Sequence, residues 1–396
     1  MRNRLFTAVL ILFFLTGVGI FVLPQREVSV MEKRNLANNH DITLSSLMEG
    51  RFSNVCEDIL KDQFYQRDSL TKTYYQIKIL FNAPFASSSG SDGSLDGVSF
   101  RFLSDDVIEI NDGYLINNIL LYDEAKAYMA ASRGYNIDEM DRTYPDVKTY
   151  IYFPTRLEEI LDVGNDLNYG LRYRETFIRQ FNENITWSAL QISSVEDHQN
   201  FFFKSDHHWN IKGAYQGYTD IVTMIGKDYD IGGPKKVKDE ITYDYEFHGN
   251  ISSQIGMIGE SDHISDYTLE DIGEYTLLAN GEPLDLSDVK RDYAQNGNTT
   301  QYSDYDLYFG DNYFIRVFDF HQEDRPNILI FGDSFTNAIQ EWLASHFNKT
   351  VLIDLRGKDD SFSLASYLKE YDIDIILVTL PYNDMFFNGN MYVPLP

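Results

Sequence analysis

Cysteine is almost missing from this chain of 396 residues, in which Cys56 is the single example. One cysteine cannot build a disulfide framework, a cysteine-based zinc site or a C-x-x-C redox pair within one chain. Cys56 lies in a stretch with a helical pattern, so we interpret it as a small apolar residue rather than as a nucleophile.

Positive charge is also scarce, because 33 basic residues stand against 61 acidic ones and give a net charge of −28. Phosphate contacts need clusters of Lys and Arg, so this balance argues against a nucleic-acid-binding protein. It equally argues against a protein held on anionic lipid by a basic face. With 43% hydrophobic and 15% aromatic residues, the chain is too apolar for acidic disorder, and we expect a folded body with an acidic surface.

One long hydrophobic run stands at the N-terminus, where residues 5–23 carry no charge and end before Pro24. About 20 apolar residues span a bilayer, whereas the apolar part of a signal peptide is usually about 7–15 residues long. No clear A-x-A cleavage site follows. We therefore expect a transmembrane signal anchor over residues 1–24, a single-pass protein of the cell membrane and a catalytic domain outside the cell. The alternative is a protein secreted after signal cleavage.

The composition changes twice more along the chain. Residues 25–100 are expected to form a stalk and an N-terminal helical segment, ending in a Ser/Gly-rich linker at 86–97. Residues 101–396 then form the main domain, with an acidic, Tyr-rich insertion at about 240–315. We interpret this insertion as an irregular, solvated surface rather than as part of the chemistry. A calcium-binding loop is the alternative, although the spacing of an EF-hand loop is absent.

The C-terminal segment has the clearest architecture. Apolar runs at 327–331, 350–355 and 373–380 alternate with helical patterns at 334–347 and 361–371. Buried apolar strands alternating with helices predict a parallel sheet covered on both faces. Ligand sites in such sheets lie beyond the carboxyl ends of the strands. The turns that follow these strands are therefore the places to look for chemistry.

The first of these turns places Ser334 between a buried strand and a helix. A serine there is well placed for nucleophilic attack, because the N–H groups of the first helical turn can hold a developing oxyanion. The alternative is that Ser334 only caps the helix. A base is offered by the turn Lys204-Ser205-Asp206-His207-His208-Trp209-Asn210, where a carboxylate two residues from an imidazole can orient it. A metal site at Asp206, His207 and His208 and a purely structural turn are the alternatives there.

The motif SDHHWN, followed about 130 residues later by LIFGDSF, resembles the DHHW family of exported bacterial proteins. That family is related to the alginate O-acetylation proteins of the SGNH hydrolase superfamily. Weaker matches are SVMEKRNLA, KDQFYQRD and NDGYLI. The resemblance implies an α/β fold with an SGNH-hydrolase-like (flavodoxin-like) parallel sheet and helices on both faces. The motif order is permuted, because ordinary SGNH esterases place the serine block first.

The resemblance also implies roles for individual residues. Ser334 becomes the nucleophile, His208 the base and Asp206 the acid that orients it. His207 and Asp333 become supporting residues, the latter bracing the turn. Further candidates are Trp209 as a floor of the site or as plain core, Asn383 and Gly357 as oxyanion donors, and Arg356 as a substrate contact.

A Ser-His-Asp site with an oxyanion hole performs acyl transfer. The resemblance favours an O-acetyltransferase that acts on a cell-wall or secreted polysaccharide beside a membrane-bound O-acyltransferase. A carbohydrate O-acetylesterase and a non-catalytic surface protein are the alternatives. We expect no cofactor and no metal. Like charges repel, so a neutral or basic glycan is the better acceptor, although Lys204 and Arg356 leave room for a local exception.

Overall fold

The computed structural model describes residues 2–81, 86–88, 98–162, 167–297, 303–358 and 362–387. The predicted Ser/Gly-rich linker lies mostly outside these residues. The α-helices are α1 (Arg2–Val22), α2 (Leu44–Met48), α3 (Phe52–Asp62), α4 (Arg67–Phe81), α5 (Glu124–Thr143), α6 (Gly170–Ile178), α7 (Val195–Phe201), α8 (Ile211–Ile225), α9 (Asn250–Ser253), α10 (Leu286–Asn296), α11 (Asp304–Phe309), α12 (Ser334–Asn337), α13 (Gln340–Ala344) and α14 (Leu364–Glu370). The strands are β1 (Val28–Ser29), β2 (Arg34–Asn35), β3 (Ala86–Ser88), β4 (Val98–Phe102), β5 (Val107–Ile110), β6 (Tyr114–Asn117), β7 (Lys148–Phe153), β8 (Thr186–Ala189), β9 (Val237–Phe247), β10 (Asp262–Leu269), β11 (Thr276–Ala279), β12 (Glu282–Pro283), β13 (Ile315–Asp319), β14 (Ile328–Gly332), β15 (Lys349–Ile353) and β16 (Ile375–Thr379).

An eight-stranded sheet forms the centre of the protein, with the strand order β12-β11-β13-β15-β14-β16-β7-β8. The strands from β15 to β8 run parallel, whereas β13, β11 and β12 are added antiparallel at the other edge. The fold is therefore mixed α/β with a large, mostly parallel sheet, as the sequence predicts.

The central strands β14 and β16 are buried on both faces, which explains their continuous apolar sequences. Successive side chains of a strand point to opposite faces. Accordingly, Leu329 and Phe331 join one hydrophobic core, and Ile328 and Ile330 join the other. Helices supply apolar side chains to both cores, so the sheet is covered on both sides.

The helix predicted at 334–347 is interrupted and forms α12 and α13 instead. The side-chain amide of Gln340 donates to the Asn337 carbonyl at 3.0 Å and to the Phe309 carbonyl at 2.8 Å. The Gln340 side chain thus occupies the Asn337 carbonyl, which a backbone N–H would bond in a continuous helix. The helix that begins at Ser334 therefore ends at Asn337.

The N-terminal apolar segment forms helix α1. Among the residues whose side chains the structure describes, no helix is long and apolar enough to cross a bilayer. The anchor expected over residues 1–24 is therefore not shown.

The acidic insertion is not irregular. It contains the antiparallel hairpin of β9 and β10, the helices α10 and α11, and the edge strands β11 and β12 of the central sheet. The long strand β9 is exposed along most of its length, which accounts for its polar sequence. The segment thus extends the central sheet at one edge and adds apolar side chains to one of its cores.

Helix α8 carries the Asp206–Trp209 turn at its start, and Trp209 packs on the helix at Gly217. A β-carbon at Gly217 would lie 2.6 Å from Cζ3 of Trp209, whose side chain is 1% exposed. Replacing a helical glycine by alanine normally helps a helix by up to about 1 kcal/mol. Here the buried indole has no room to move, and overpacking costs about 1–3 kcal/mol.

We therefore expect Gly217→Ala to lower the free energy of unfolding by about 1–2 kcal/mol, measured by chemical denaturation. Gly233→Ala is the matched control, because a β-carbon there meets nothing within 4 Å. Equal stability of the two variants would contradict the close packing of Trp209 on α8.

Candidate active site

The Asp206–Trp209 turn is closed by its own hydrogen bonds. The N–H of His208 donates to Asp206 Oδ1 at 3.0 Å, and the N–H of Phe203 donates to the His208 carbonyl at 3.2 Å. Asn210 then starts helix α8 by accepting hydrogen bonds from the N–H groups of Lys212 and Gly213. An aspartate that caps its own turn and an asparagine that caps the next helix together fix the direction of the His208 side chain.

The turn after β14 presents Ser334 as the first residue of α12. Asp333, not Ser334, caps this helix, since its carboxylate accepts a hydrogen bond from the N–H of Phe335 at 3.0 Å. The capping task weighed for Ser334 is thus performed by its neighbour, and the serine hydroxyl is free for another contact. Asp333 braces the turn in the way that the sequence suggests.

The structure brings Ser334, His208 and Asp206 together. His208 Nε2 lies 2.7 Å from Ser334 Oγ, and His208 Nδ1 lies 2.7 Å from Asp206 Oδ1. The side chains of Asp206 and His208 are 1% exposed, and that of Ser334 is 7% exposed. The carboxylate, the imidazole and the hydroxyl therefore form one continuous buried relay.

Burial by itself would raise the pKa of Asp206, but His208 and the hydrogen bonds at the carboxylate hold this pKa below its usual range. Asp206 is therefore ionised and can only accept hydrogen bonds. The proton between Asp206 and His208 must then sit on Nδ1, which leaves Nε2 as the acceptor for the Ser334 hydroxyl. This tautomer is the one that general-base chemistry needs.

The insertion supports Asp206 from outside the motif. The backbone N–H of Asn250 donates to Asp206 Oδ2 at 2.6 Å. Gly249 lies so close that a β-carbon there would be 2.2 Å from the Asp206 β-carbon. Behind them, the Asp262 carboxylate accepts hydrogen bonds from the N–H groups of Lys204 and Ser205 at 2.8 and 2.7 Å. The expectation that this segment is only a surface is therefore wrong in structural terms.

Tyr305 and Asp306, also in the insertion, lie beside the relay. The rings of Tyr305 and His208 are stacked, with centroids 3.9 Å apart and an angle of 3° between their planes. Asp306 keeps a buried carboxylate oxygen without a hydrogen-bond partner among the described residues, and burial raises the pKa of this group, opposed by nearby His208. The sequence around both residues carries no motif, so contact in three dimensions is the only signal that identifies them.

Trp209 joins the histidine turn to the serine turn. Its Nε1–H donates to the Phe335 carbonyl at 3.1 Å and to the Tyr305 hydroxyl at 3.2 Å. The indole is buried in the larger of the two cores. Trp209 is therefore a core residue that also connects the two halves of the site.

His207 lies beside the relay and does not bond to Ser334, a contact that His208 makes. Its ring centroid is 4.0 Å from that of His208, and its Nδ1 is 3.5 Å from Asp206 Oδ1. Burial, followed by the influence of His208, lowers the pKa of His207. The imidazole is thus neutral near pH 7 and about a quarter exposed, which suits a supporting role.

A metal ion is the other use to which these residues could be put. The ligand atoms of Asp206, His207 and His208 lie within 4.8 Å of one another. Both ring nitrogens of His208, however, already contact Asp206 and Ser334. A metal on His208 would have to displace one of these contacts, so the residues fit the relay better than they fit a metal site.

The three candidates for oxyanion or substrate contacts differ. The Gly357 N–H donates to the Asp354 carbonyl at 3.1 Å and is engaged within its turn. Arg356 forms a two-atom contact with the Asp354 carboxylate, at 2.9 Å from Nε to Oδ1 and 2.5 Å from Nη2 to Oδ2. Asn383 begins a π-helical turn, Asn383–Phe387, after β16, but its side chain lies outside the described part of the chain. Its oxyanion role stays a prediction.

Residues 177–353 match the family model described as DHHW protein, and the resemblance to the DHHW family is confirmed. This range contains all three residues of the relay. No curated protein sequence matches the chain.

Solved structures show the same fold. Bacillus cereus PatB1 superimposes with a TM-score of 0.61 at 20% identity, covering 73% of this chain and 99% of that one. The structure of PatB1 with a sulfonyl adduct superimposes with a TM-score of 0.60 at 21% identity, covering 72% of this chain and 97% of that one. A DHHW family protein from Eubacterium siraeum superimposes with a TM-score of 0.54 at 14% identity, covering 77% of this chain and 95% of that one.

The close contact at Gly249 gives a test of the site. We expect Gly249→Ala to displace Asp206 and to slow the reaction of Ser334 with phenylmethylsulfonyl fluoride by about 100-fold, because the carboxylate then orients His208 badly. Intact-mass spectrometry follows the modification. Asn250→Ala is the matched control, since it keeps the backbone N–H that donates to Asp206. A Gly249→Ala protein that reacts as fast as the wild type would contradict this account of Asp206.

Proposed function

We propose that the protein is a serine acyltransferase that moves an acetyl group to a hydroxyl of a cell-wall or secreted polysaccharide. One observation carries the proposal: the buried relay in which His208 lies 2.7 Å from both Ser334 and Asp206. The match to the DHHW family model supports it.

In the first half-reaction, Ser334 Oγ attacks the carbonyl carbon of an acetyl ester, and its proton passes to His208 Nε2. The tetrahedral intermediate collapses when the C–O bond of the donor breaks and His208 returns the proton to the departing oxygen. In the second half-reaction, His208 takes the proton of the acceptor hydroxyl, which attacks the acetyl-serine, and Ser334 regains a proton. Asp206 stays ionised throughout and stabilises the imidazolium.

The negative oxygen of each intermediate needs hydrogen-bond donors. The backbone N–H of Ser334 is our first candidate, since none of the hydrogen bonds among the described residues uses it. Asn383 remains the proposed second donor, because it follows β16, the neighbour of β14 in the sheet. Gly357 is the weaker proposal, because its N–H is engaged with Asp354.

Transfer is preferred to hydrolysis because the relay is buried. A serine that is 7% exposed and a histidine that is 1% exposed restrict the approach of bulk water to the acyl-enzyme. A bound sugar hydroxyl then competes well for the acetyl group. A carbohydrate O-acetylesterase is the second candidate, since the same relay activates water if water enters.

The nucleophile is tested by Ser334→Ala. With p-nitrophenyl acetate as donor and a chito-oligosaccharide as acceptor, we expect the variant to lose acetyl transfer by about 10³-fold or more. Mass spectrometry of the oligosaccharide and release of p-nitrophenol measure transfer and total turnover. Ser345→Ala is the matched control, because it removes another buried hydroxyl, which donates to the Trp342 carbonyl. Equal transfer by Ser334→Ala and the wild type would exclude Ser334 as the nucleophile, whereas transfer by neither above the protein-free background would favour a non-catalytic surface protein.

The charges near the site favour a neutral or amine-bearing glycan as acceptor. The net charge of −28 repels polyanions. The two basic residues that would oppose this repulsion locally have acidic partners: Lys204 pairs with Glu260, and Arg356 pairs with Asp354.

We expect an oligosaccharide of glucosamine units to be acetylated at least about tenfold faster, in kcat/KM, than an oligo-uronate of equal length at low ionic strength. Added salt should narrow the difference, because it screens charges beyond about 10 Å at 0.1 M. A faster reaction with the uronate that weakens in salt would mean that a basic surface recognises the acceptor.

We further propose that the protein lies outside the cell and is attached to the membrane through α1. A membrane-bound O-acyltransferase would be the partner that supplies the acetyl donor. This proposal rests on the apolar run at residues 5–23 and on the exported character of the family that the sequence resembles.

A further inference from the structure

Two aromatic rings enclose the His208 imidazole. Tyr305 is stacked at 3.9 Å with an angle of 3°, and His207 lies at 4.0 Å with an angle of 35°. The Tyr305 ring therefore lies parallel to one face of the imidazole, while His207 and, at 5.0 Å, Phe335 are tilted against it. The ring edge remains for Asp206 and Ser334, which contact its two nitrogens.

Tyr305 is held firmly in this position. The residue is fully buried, and its hydroxyl accepts from Trp209 Nε1 at 3.2 Å and donates to the Phe335 carbonyl at 3.4 Å. Phe203 and Phe309 pack against its ring at centroid distances of 6.3 and 4.8 Å. Burial raises the pKa of Tyr305 well above its usual range, so the phenol stays neutral and takes no part in proton transfer.

We propose that Tyr305 is a positioning residue that holds the His208 ring in the plane of the relay and stabilises, through its ring face, the imidazolium formed when His208 takes the Ser334 proton. The face of an aromatic ring attracts a cation within about 6 Å, and the attraction is stronger away from water. The proton moves from Ser334 Oγ to His208 Nε2, and no bond to Tyr305 forms or breaks. The inference rests on the proposed function, since it assumes that His208 becomes protonated during turnover.

Through Tyr305, the insertion contributes a residue that contacts the relay directly. Helix α11 is capped by Ser303, whose hydroxyl accepts from the N–H of Asp306, and Tyr305 lies in its first turn. The insertion thus supplies the ring that stacks on the buried His208 imidazole.

The test compares Tyr305→Phe, which keeps the ring face and loses the hydroxyl, with Tyr305→Leu, which loses both. Tyr308→Leu is the matched control, because Tyr308 is equally buried in the same helix and bonds to Asp266 rather than to the relay. The readout is the rate of Ser334 modification by phenylmethylsulfonyl fluoride, followed by intact-mass spectrometry. This reaction needs an activated serine but neither donor nor acceptor. Thermal melts of each variant show that the proteins are folded.

We expect Tyr305→Leu to slow the modification about 30-fold, the size of a desolvated cation–π contact. Tyr305→Phe and folded Tyr308→Leu should stay within about twofold of the wild type. With an acetyl donor, Tyr305→Leu should lower kcat and leave KM nearly unchanged, because the contact strengthens only when His208 carries charge.

Each other outcome has a distinct meaning. If Ser334 of the wild type reacts and Tyr305→Leu reacts equally fast, the role of Tyr305 is wrong and the relay stands. If Tyr305→Leu and Tyr308→Leu slow the reaction equally, Tyr305 serves only packing, and the proposal fails. If Ser334 of the wild type does not react, the proposed function fails together with this inference.

Discussion

The arrangement of the site depends on keeping one buried carboxylate charged. Asp206 is 1% exposed, and an ionised carboxylate taken from water is costly unless hydrogen bonds and opposite charge replace the solvent. The partners come from two parts of the chain: the Asn250 N–H of the insertion and, in its own turn, the N–H and the ring of His208. The contact with the His208 ring also affects Ser334. Because the ionised Asp206 holds the proton on Nδ1, Nε2 is left to accept from the serine hydroxyl.

The same constraint explains why the two turns of the site are tied so closely. The relay works only if His208 Nε2 stays within hydrogen-bond distance of a serine 126 residues away in sequence. Trp209 secures this by donating to the carbonyl of Phe335, the residue after Ser334. Trp209 thus fixes the separation between the His208 turn and the Ser334 turn. Its hydrogen bond lies in the core, where solvent does not compete for it.

Local patterns predicted much of this structure. Strands β14, β15 and β16 follow from continuous apolar runs, because a strand buried on both faces leaves no room for polar residues. The convergence of Ser334 and His208 follows from two motifs and the rule that sites lie at the carboxyl ends of parallel strands. The antiparallel strands at the far edge carry no comparable signal, since β11 is only four residues long and alternates in burial.

The parts that were missed depend on contacts between distant segments. Gly249 is needed because Asp206 packs on it, and Tyr305 matters because His208 lies against its ring; neither neighbour is close in sequence. The polar composition of β9 suggested an irregular surface because the strand is exposed along most of its length. The interrupted helix after Ser334 was also unpredictable from periodicity, since one glutamine side chain takes the carbonyl that would have continued it.

The order of the two motifs has a consequence for synthesis. His208 leaves the ribosome 126 residues before Ser334, which at about 5–20 residues per second is roughly 6–25 s. Strand β14 also lies between β15 and β16 in the sheet, so the serine turn has no finished support until nearly the whole chain has emerged. A growing chain therefore carries His208 without its Ser334 partner, and the relay forms only when β16 has joined the sheet.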